Sequence, residues 1–118
     1  MYMHRRRMRR IGKQLAEVLD TRMFRALGEP ARIEVLKALI EHGPCDVESI
    51  AETLPQDRSV ISRHLQQLEE AGILTSTRAG RRRLYAFDGP ALLATFDRIH
   101  ATIRKLVATC CPPGDSRT

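Results

Sequence analysis

Apolar positions along this 118-residue chain recur first at helical steps, then at alternate positions, then at helical steps again. From Gln14 to Leu27, Leu15, Val18, Leu19, Met23 and Leu27 keep the spacing of one helix face. Gly28 stops that helix, and Pro30 suits the first position of the next. Ile33, Leu36, Leu39 and Ile40 give the second helix its buried stripe until His42-Gly43-Pro44 ends it. Asp46 is a suitable N-cap for a short helix over 47–54, with Val47, Ile50, Ala51 and Leu54 inward. Pro55-Gln56 makes a turn, and Asp57 caps a helix over 58–71 with Ile61, Leu65 and Leu68 as its stripe. Gly72 is a natural stop. Residues 73–77 and 84–87 then read as strands on either side of Ala79-Gly80-Arg81-Arg82. Gly89-Pro90 opens a last helix of roughly twenty residues that stops at Pro112-Pro113.

The predicted order is α-α-α-α-β-β-α, a mainly α fold with a two-stranded wing: a winged helix-turn-helix. Residues 1–12 read as a basic flexible arm. Residues 13–109 form the DNA-binding and dimerisation domain, and 110–118 a tail with vicinal cysteines. The length allows one domain with one modest core. An aromatic fraction of 4% with no Trp points to a core of Leu, Ile, Val and Ala.

Charge changes the picture only once it is located. Arg5, Arg6, Arg7, Arg9, Arg10 and Lys13 supply all of the net +6, and the remaining 14 bases balance 14 acids. Within that neutral body the charges separate. Glu41, Asp46, Glu48, Glu52 and Asp57 precede the 58–71 helix, whereas Arg78, Arg81, Arg82 and Arg83 gather in the wing. No apolar run approaches the roughly 20 residues of a membrane span. The basic start is not followed by an apolar signal-peptide segment. The chain therefore reads as cytoplasmic, with its thiols reduced at rest and no membrane partner.

With Ile61, Leu65 and Leu68 inward, the 100° step per residue puts Ser59, Ser62, Arg63 and Gln66 on the outer face of the 58–71 helix. Those side chains hydrogen-bond base edges and phosphates, and Arg pairs two-pronged with guanine. The first turn of a recognition helix enters the major groove, which singles out Arg58, Ser59, Ser62 and Arg63. His64 lies toward the buried flank, where packing and DNA contact both stay open. Arg81, Arg82 and Arg83 at the hairpin suit phosphate or minor-groove contact. In the last helix Leu92, Phe96, Ile99, Ile103, Leu106 and Cys110 step by four and three, the seam of a helix that packs along a partner. No nucleophile–base pair, phosphate loop or stacking aromatic pattern supports an enzyme or an RNA-binding module.

Phe24–Pro30 (FRALGEP), Arg32–Leu39 (RIEVLKAL), Cys45-Asp46-Val47, Ser62-Arg63-His64-Leu65 and Glu70–Leu74 (EAGIL) together resemble the ArsR/SmtB family of winged-helix repressors, arsenic-responsive type, over about residues 14–109. The resemblance implies a homodimer through the first and last helices, a twofold operator, and release when an inducer binds. It places base reading on Arg58, Ser59, Ser62 and Arg63, with Arg63 where the family often has His. Zinc-sensing members carry Asp-x-His and His-x-x-His/Glu on the final helix. Asp97 and His100 followed by Arg104 do not make that site.

The three cysteines point elsewhere. Cys45 matches the second cysteine of the Cys-Val-Cys-Asp-Leu box of arsenic- and lead-sensing relatives, whose first cysteine is Gly43 here. Cys110-Cys111 resembles the C-terminal pair of some arsenite-responsive members. Three soft thiolates, Cys45, Cys110 and Cys111, suit trivalent arsenic or antimony; two suit Hg²⁺ or a monosubstituted arsenical. No permanently bound cofactor is expected. Plain packing of Cys45 and Cys110 stays open. So does a dithiol redox or sulfide-responsive repressor on the same scaffold.

Overall fold

The structure, a computed structural model, describes residues 2–110, so Cys111 and the rest of the 110–118 tail lie outside the described residues. The chain forms two compact units, Thr21–Leu92 and a second that combines residues before 21 with residues from 93 onward.

The first unit is the winged helix-turn-helix. Helix α2 (Arg22–Leu27) starts at Thr21, whose hydroxyl accepts from Phe24 N at 3.5 Å. Helix α3 (Pro30–His42) is capped by the Glu29 side chain, with Pro30 in the first turn as expected, and ends at Gly43 with φ +90°. Asp46 caps α4 (Val47–Ala51), accepting from Ser49 N at 3.0 Å. Helix α5 (Arg58–Glu70) starts at Asp57, which occupies the N-cap without a side-chain cap bond. It closes in a Schellman motif, with Ile73 N donating to Leu68 O at 3.0 Å and Gly72 N to Glu69 O at 3.0 Å. Gly72 sits at φ +83°, a conformation an L side chain resists. Strands β1 (Leu74–Ala79) and β2 (Arg82–Phe87) pair antiparallel, Leu74 opposite Phe87 and Ala79 opposite Arg82. The turn is therefore Gly80-Arg81, two residues. Gly80 at φ +66° with no positive φ at Arg81 is the type II′ pattern that follows strand twist.

Val35, Leu39, Ile50, Ile61, Leu65, Leu68 and Ile73 are completely enclosed. They bring α3, α4, α5 and the base of the wing onto one core, and each predicted stripe supplies part of it. Cys45 and Tyr85 exchange backbone hydrogen bonds (Cys45 N to Tyr85 O 3.1 Å, Tyr85 N to Cys45 O 2.8 Å), which fastens β2 to the chain entering α4. Asp88 accepts from Ala91 N at 3.1 Å to begin α6 (Gly89–Cys110).

The second unit holds α1 (Tyr2–Leu19) and the rest of α6, with Ile11 and Ile99 as its buried apolar side chains. Two expectations change. The run over 14–27 is two helices, because Thr21 caps a new one after Asp20. Residues 2–12, expected as an arm, are helical. Met8 and Ile11 continue backwards the stripe of Leu15 and Val18, and no proline intervenes. The order thus has five helices before the wing; the winged helix-turn-helix stands.

Candidate nucleic-acid interface

Helix α5 presents what its periodicity predicts. Arg58, Ser59, Arg63 and Gln66 are exposed and Ser62 half-buried, while Ile61, Leu65 and Leu68 face the core. Arg58, Ser62 and Gln66 line one side of a cleft of about 660 Å³, and Arg81, Arg82 and Arg83 of the wing line the other. Ser59 and Arg63 stand on α5 outside this lining. The helix start also contributes unpaired backbone N–H groups and the positive end of its dipole.

Acidic residues at the start of α4 hold the cleft's cations, a role the sequence reading missed. Arg82 Nε donates to Asp46 Oδ2 at 2.7 Å, and Arg58 Nη2 to Glu48 Oε1 at 3.2 Å. Asp46 also accepts from Ser49 Oγ at 2.8 Å. The Ser49 hydroxyl and amide, with Arg82 beside them, lower the Asp46 pKa to about 2. The signal was present in the sequence as an acidic N-cap and a basic hairpin, but their pairing depends on the Cys45–Tyr85 bridge. Arg83 also borders the cleft, and its Nη1 donates to Ser76 Oγ at 2.8 Å, with Ser76 hydrogen-bonded to Glu69 of α5. Arg78 lies directly opposite Arg83 in the ladder. A like-charge pair across a hairpin is unfavourable alone and is relieved by a polyanion.

His64 sits on the buried flank of α5. It is half-buried between α5 and α3, and its Nδ1 is enclosed without a hydrogen-bond partner among the described residues. Burial and the nearby Arg32 guanidinium push its pKa down, against a hydrogen bond with Gln67. Arg32 Nη2 donates to Gln67 Oε1 at 2.7 Å and Nη1 to Ala26 O at 3.3 Å, joining α2, α3 and α5 beneath the reading face.

Cys45 and Cys110 belong to different units. Cys45 is 4% exposed within the core, and burial, with the Asp46 carboxylate next in the chain, raises its pKa. As placed, Cys45 is a core residue, and a ligand role for it requires loss of the thiol proton as the metalloid binds. Cys110 is exposed at the end of α6, in the other unit. Cys111 is outside the described residues. Among the described residues no three or more His, Cys, Asp or Glu side chains could hold a metal ion. None of the described helices is long and apolar enough to cross a membrane.

Residues 29–76 match the family described as "Bacterial regulatory protein, arsR family", a span from the cap of α3 into β1. The transcriptional regulator Rv2034 of Mycobacterium tuberculosis is 36% identical over 73 residues, which cover 62% of this chain and 67% of that protein. The homodimeric winged helix-turn-helix DNA-binding domain Mb0332 of Mycobacterium bovis, a possible ArsR-family regulator, superposes with TM-score 0.59 at 25% identity, over 79% of this chain and 84% of that one. The antimony-specific transcriptional repressor AntR superposes with TM-score 0.53 at 25% identity, over 70% and 75%. Helix-turn-helix regulators bind DNA, and on the sequence match and the fold together this chain belongs to the ArsR/SmtB family of transcriptional regulators.

Proposed function

We propose that the chain is a homodimeric operator-binding repressor that lets go of DNA when a thiophilic metalloid binds cysteine thiolates near the end of α6. The observation that carries the DNA half is the cleft that combines Arg58, Ser62 and Gln66 of α5 with Arg81, Arg82 and Arg83 of the wing. Arg63 and Ser59, exposed on the same helix, extend the base-reading set. The homodimeric Mycobacterium bovis neighbour supports the twofold assembly.

The inducer half rests on Cys110, an exposed thiol whose chain neighbour is a second cysteine. The likeness to an antimony-specific repressor supports the same class of ligand, trivalent arsenic or antimony. Cys110 and Cys111 supply two soft ligands, a set that suits a monosubstituted trivalent arsenical or Hg²⁺, and Cys45 is the third that inorganic arsenite or antimonite calls for. Nearly complete release requires the inducer to favour the non-binding state by about 10⁴-fold.

The test is an operator-release titration with arsenite, antimonite, methylarsenite, Hg²⁺, Zn²⁺ and peroxide. Methylarsenite should release the wild type and the Cys45→Ala variant alike, and should leave the Cys110→Ser/Cys111→Ser variant bound to DNA. Release that persists in the double variant rules out the thiol site. Release by peroxide alone assigns the protein to redox sensing instead. In the same assay Arg63→Ala should narrow the gap between operator and altered operator by about 1–3 kcal/mol.

A further inference from the structure

The chain's positive charge is not on its reading head. Residues 21–92 carry ten bases and ten acids. The described part of the other unit carries Arg5, Arg6, Arg7, Arg9, Arg10, Lys13, Arg98, Arg104 and Lys105 against only Glu17, Asp20 and Asp97. Part of this excess converges. His4, Arg6, Arg7 and Arg10 of α1 and Lys105, Ala108 and Thr109 of α6 line a groove of about 690 Å³ inside that unit, with no carboxylate in its wall. Its volume falls in the range of about 300–1,000 Å³ typical of small-ligand sites.

Helical geometry separates these arginines from their neighbours. Taking His4 as the origin at 100° per residue, Arg6, Arg7 and Arg10 fall on one flank of the apolar stripe of Met8, Ile11, Leu15 and Val18. Arg5 and Arg9 fall on the other flank, and neither lines the groove. Arg7 and Arg10 are like charges three apart on a helix, a spacing whose repulsion an anion shared between them relieves. Guanidinium forks match the oxygens of phosphate two at a time. A concave wall of one sign also concentrates the field on whatever enters it.

We propose that this groove is a binding site for a multivalent oxyanion of phosphate or phosphodiester chemistry, held by Arg6, Arg7, Arg10 and Lys105. The ligand is either a free phosphorylated small molecule or the backbone of a nucleic acid, and both present the same doubly accepting oxygens. The site is independent of the thiol chemistry proposed for Cys110.

Calorimetry on the full chain with inorganic pyrophosphate tests it. The wild type should bind, with a rise in melting temperature because the ligand binds the folded state. Arg6→Gln/Arg10→Gln should weaken pyrophosphate by about tenfold or more. Arg5→Gln/Arg9→Gln removes the same charge from the other flank, with the same helix-tolerant residue, and should leave the affinity nearly unchanged. Circular dichroism establishes that both variants keep their helix content. Equal weakening in both variants, or no binding by the wild type, overturns the proposal. Repeating the titration on the operator complex identifies the source of the ligand. Undiminished pyrophosphate binding assigns the groove to a free small molecule. Competition assigns it to the DNA backbone, and the salt slope of operator binding should then be smaller by about one for each phosphate that Arg6→Gln/Arg10→Gln no longer neutralises.

Discussion

Asp46 shows how much a single side chain carries here. Its carboxylate closes the first turn of α4 through Ser49 and holds the Arg82 guanidinium at the wing. His64 occupies the opposite electrostatic situation, a base kept neutral by burial and by Arg32. The two give stability separate pH windows. For His64 the folded pKa lies below the ordinary 6.5, so the unfolded chain binds the proton first. Its contribution is whole above pH 6.5 and declines as the pH falls below that value. Asp46 is also depressed, from 3.8 to about 2, so its contribution is whole above pH 3.8 and fades as the pH drops through about 2. Melting temperature followed from pH 7.5 to 2 should therefore fall in two stages. His64→Gln should flatten the upper stage, and Asp46→Asn the lower. An upper stage unchanged in His64→Gln would assign it to another group.

The wing shows the same dependence at the scale of an element. Its two-residue turn requires φ +66° at Gly80, and nothing lies within 4 Å of where a Cβ would be. Gly80→Val therefore meets backbone strain and no clash, at a cost of about 1–2 kcal/mol. Because the turn lies beyond the buried core, the expected outcome is an operator affinity reduced more than the melting temperature, with Arg81 and Arg82 no longer held in register. Leu65→Ala makes the contrast. Leu65 is fully buried, and its truncation should cost about 2–5 kcal/mol of global stability. Urea melts beside operator binding distinguish the two, and a Gly80→Val variant with unchanged affinity would remove the wing from the interface.

These elements were legible in the sequence to the extent that their signals are local. The stripes of α3 and α5, Gly72 as a stop and the glycine of the hairpin are all set by periodicity or by a dihedral requirement. The division at Thr21 was hidden because a helical stripe runs across a cap residue without losing its period. Helix α1 was cut short because arginine-rich sequence resembles a solvated arm, although Arg is a good helix former and Ile11 supplies an anchor. The Asp46–Arg82 ion pair joins residues 36 apart in sequence, and only the Cys45–Tyr85 bridge brings them together. No pattern along the chain encodes that. The same bridge sets the backbone of Cys45 at the core, a placement its motif alone does not reveal.

At the scale of the whole molecule, the last helix remains to be accounted for. Its predicted seam divides in two. Leu92 and Leu106 are half-buried and Ile99 buried, seven residues apart, whereas Phe96 and Ile103 are 44% and 42% exposed. Leu93 at 63% and Val107 at 42% exposure widen that outer strip to four large apolar side chains. An apolar strip of this kind on one helix is a contact surface, and the proposed homodimer gives it an occupant. Two operator half-sites are then engaged through one linked body, so that binding the second half-site is intramolecular. Phe96→Glu with Ile103→Glu should produce a monomer by sedimentation and leave the melting temperature of the protein at low concentration nearly unchanged, since neither side chain is enclosed by its own chain. Operator affinity should fall by at least about 10²-fold, while affinity for an isolated half-site should hold. A double variant that still sediments as a dimer would move the interface off this strip.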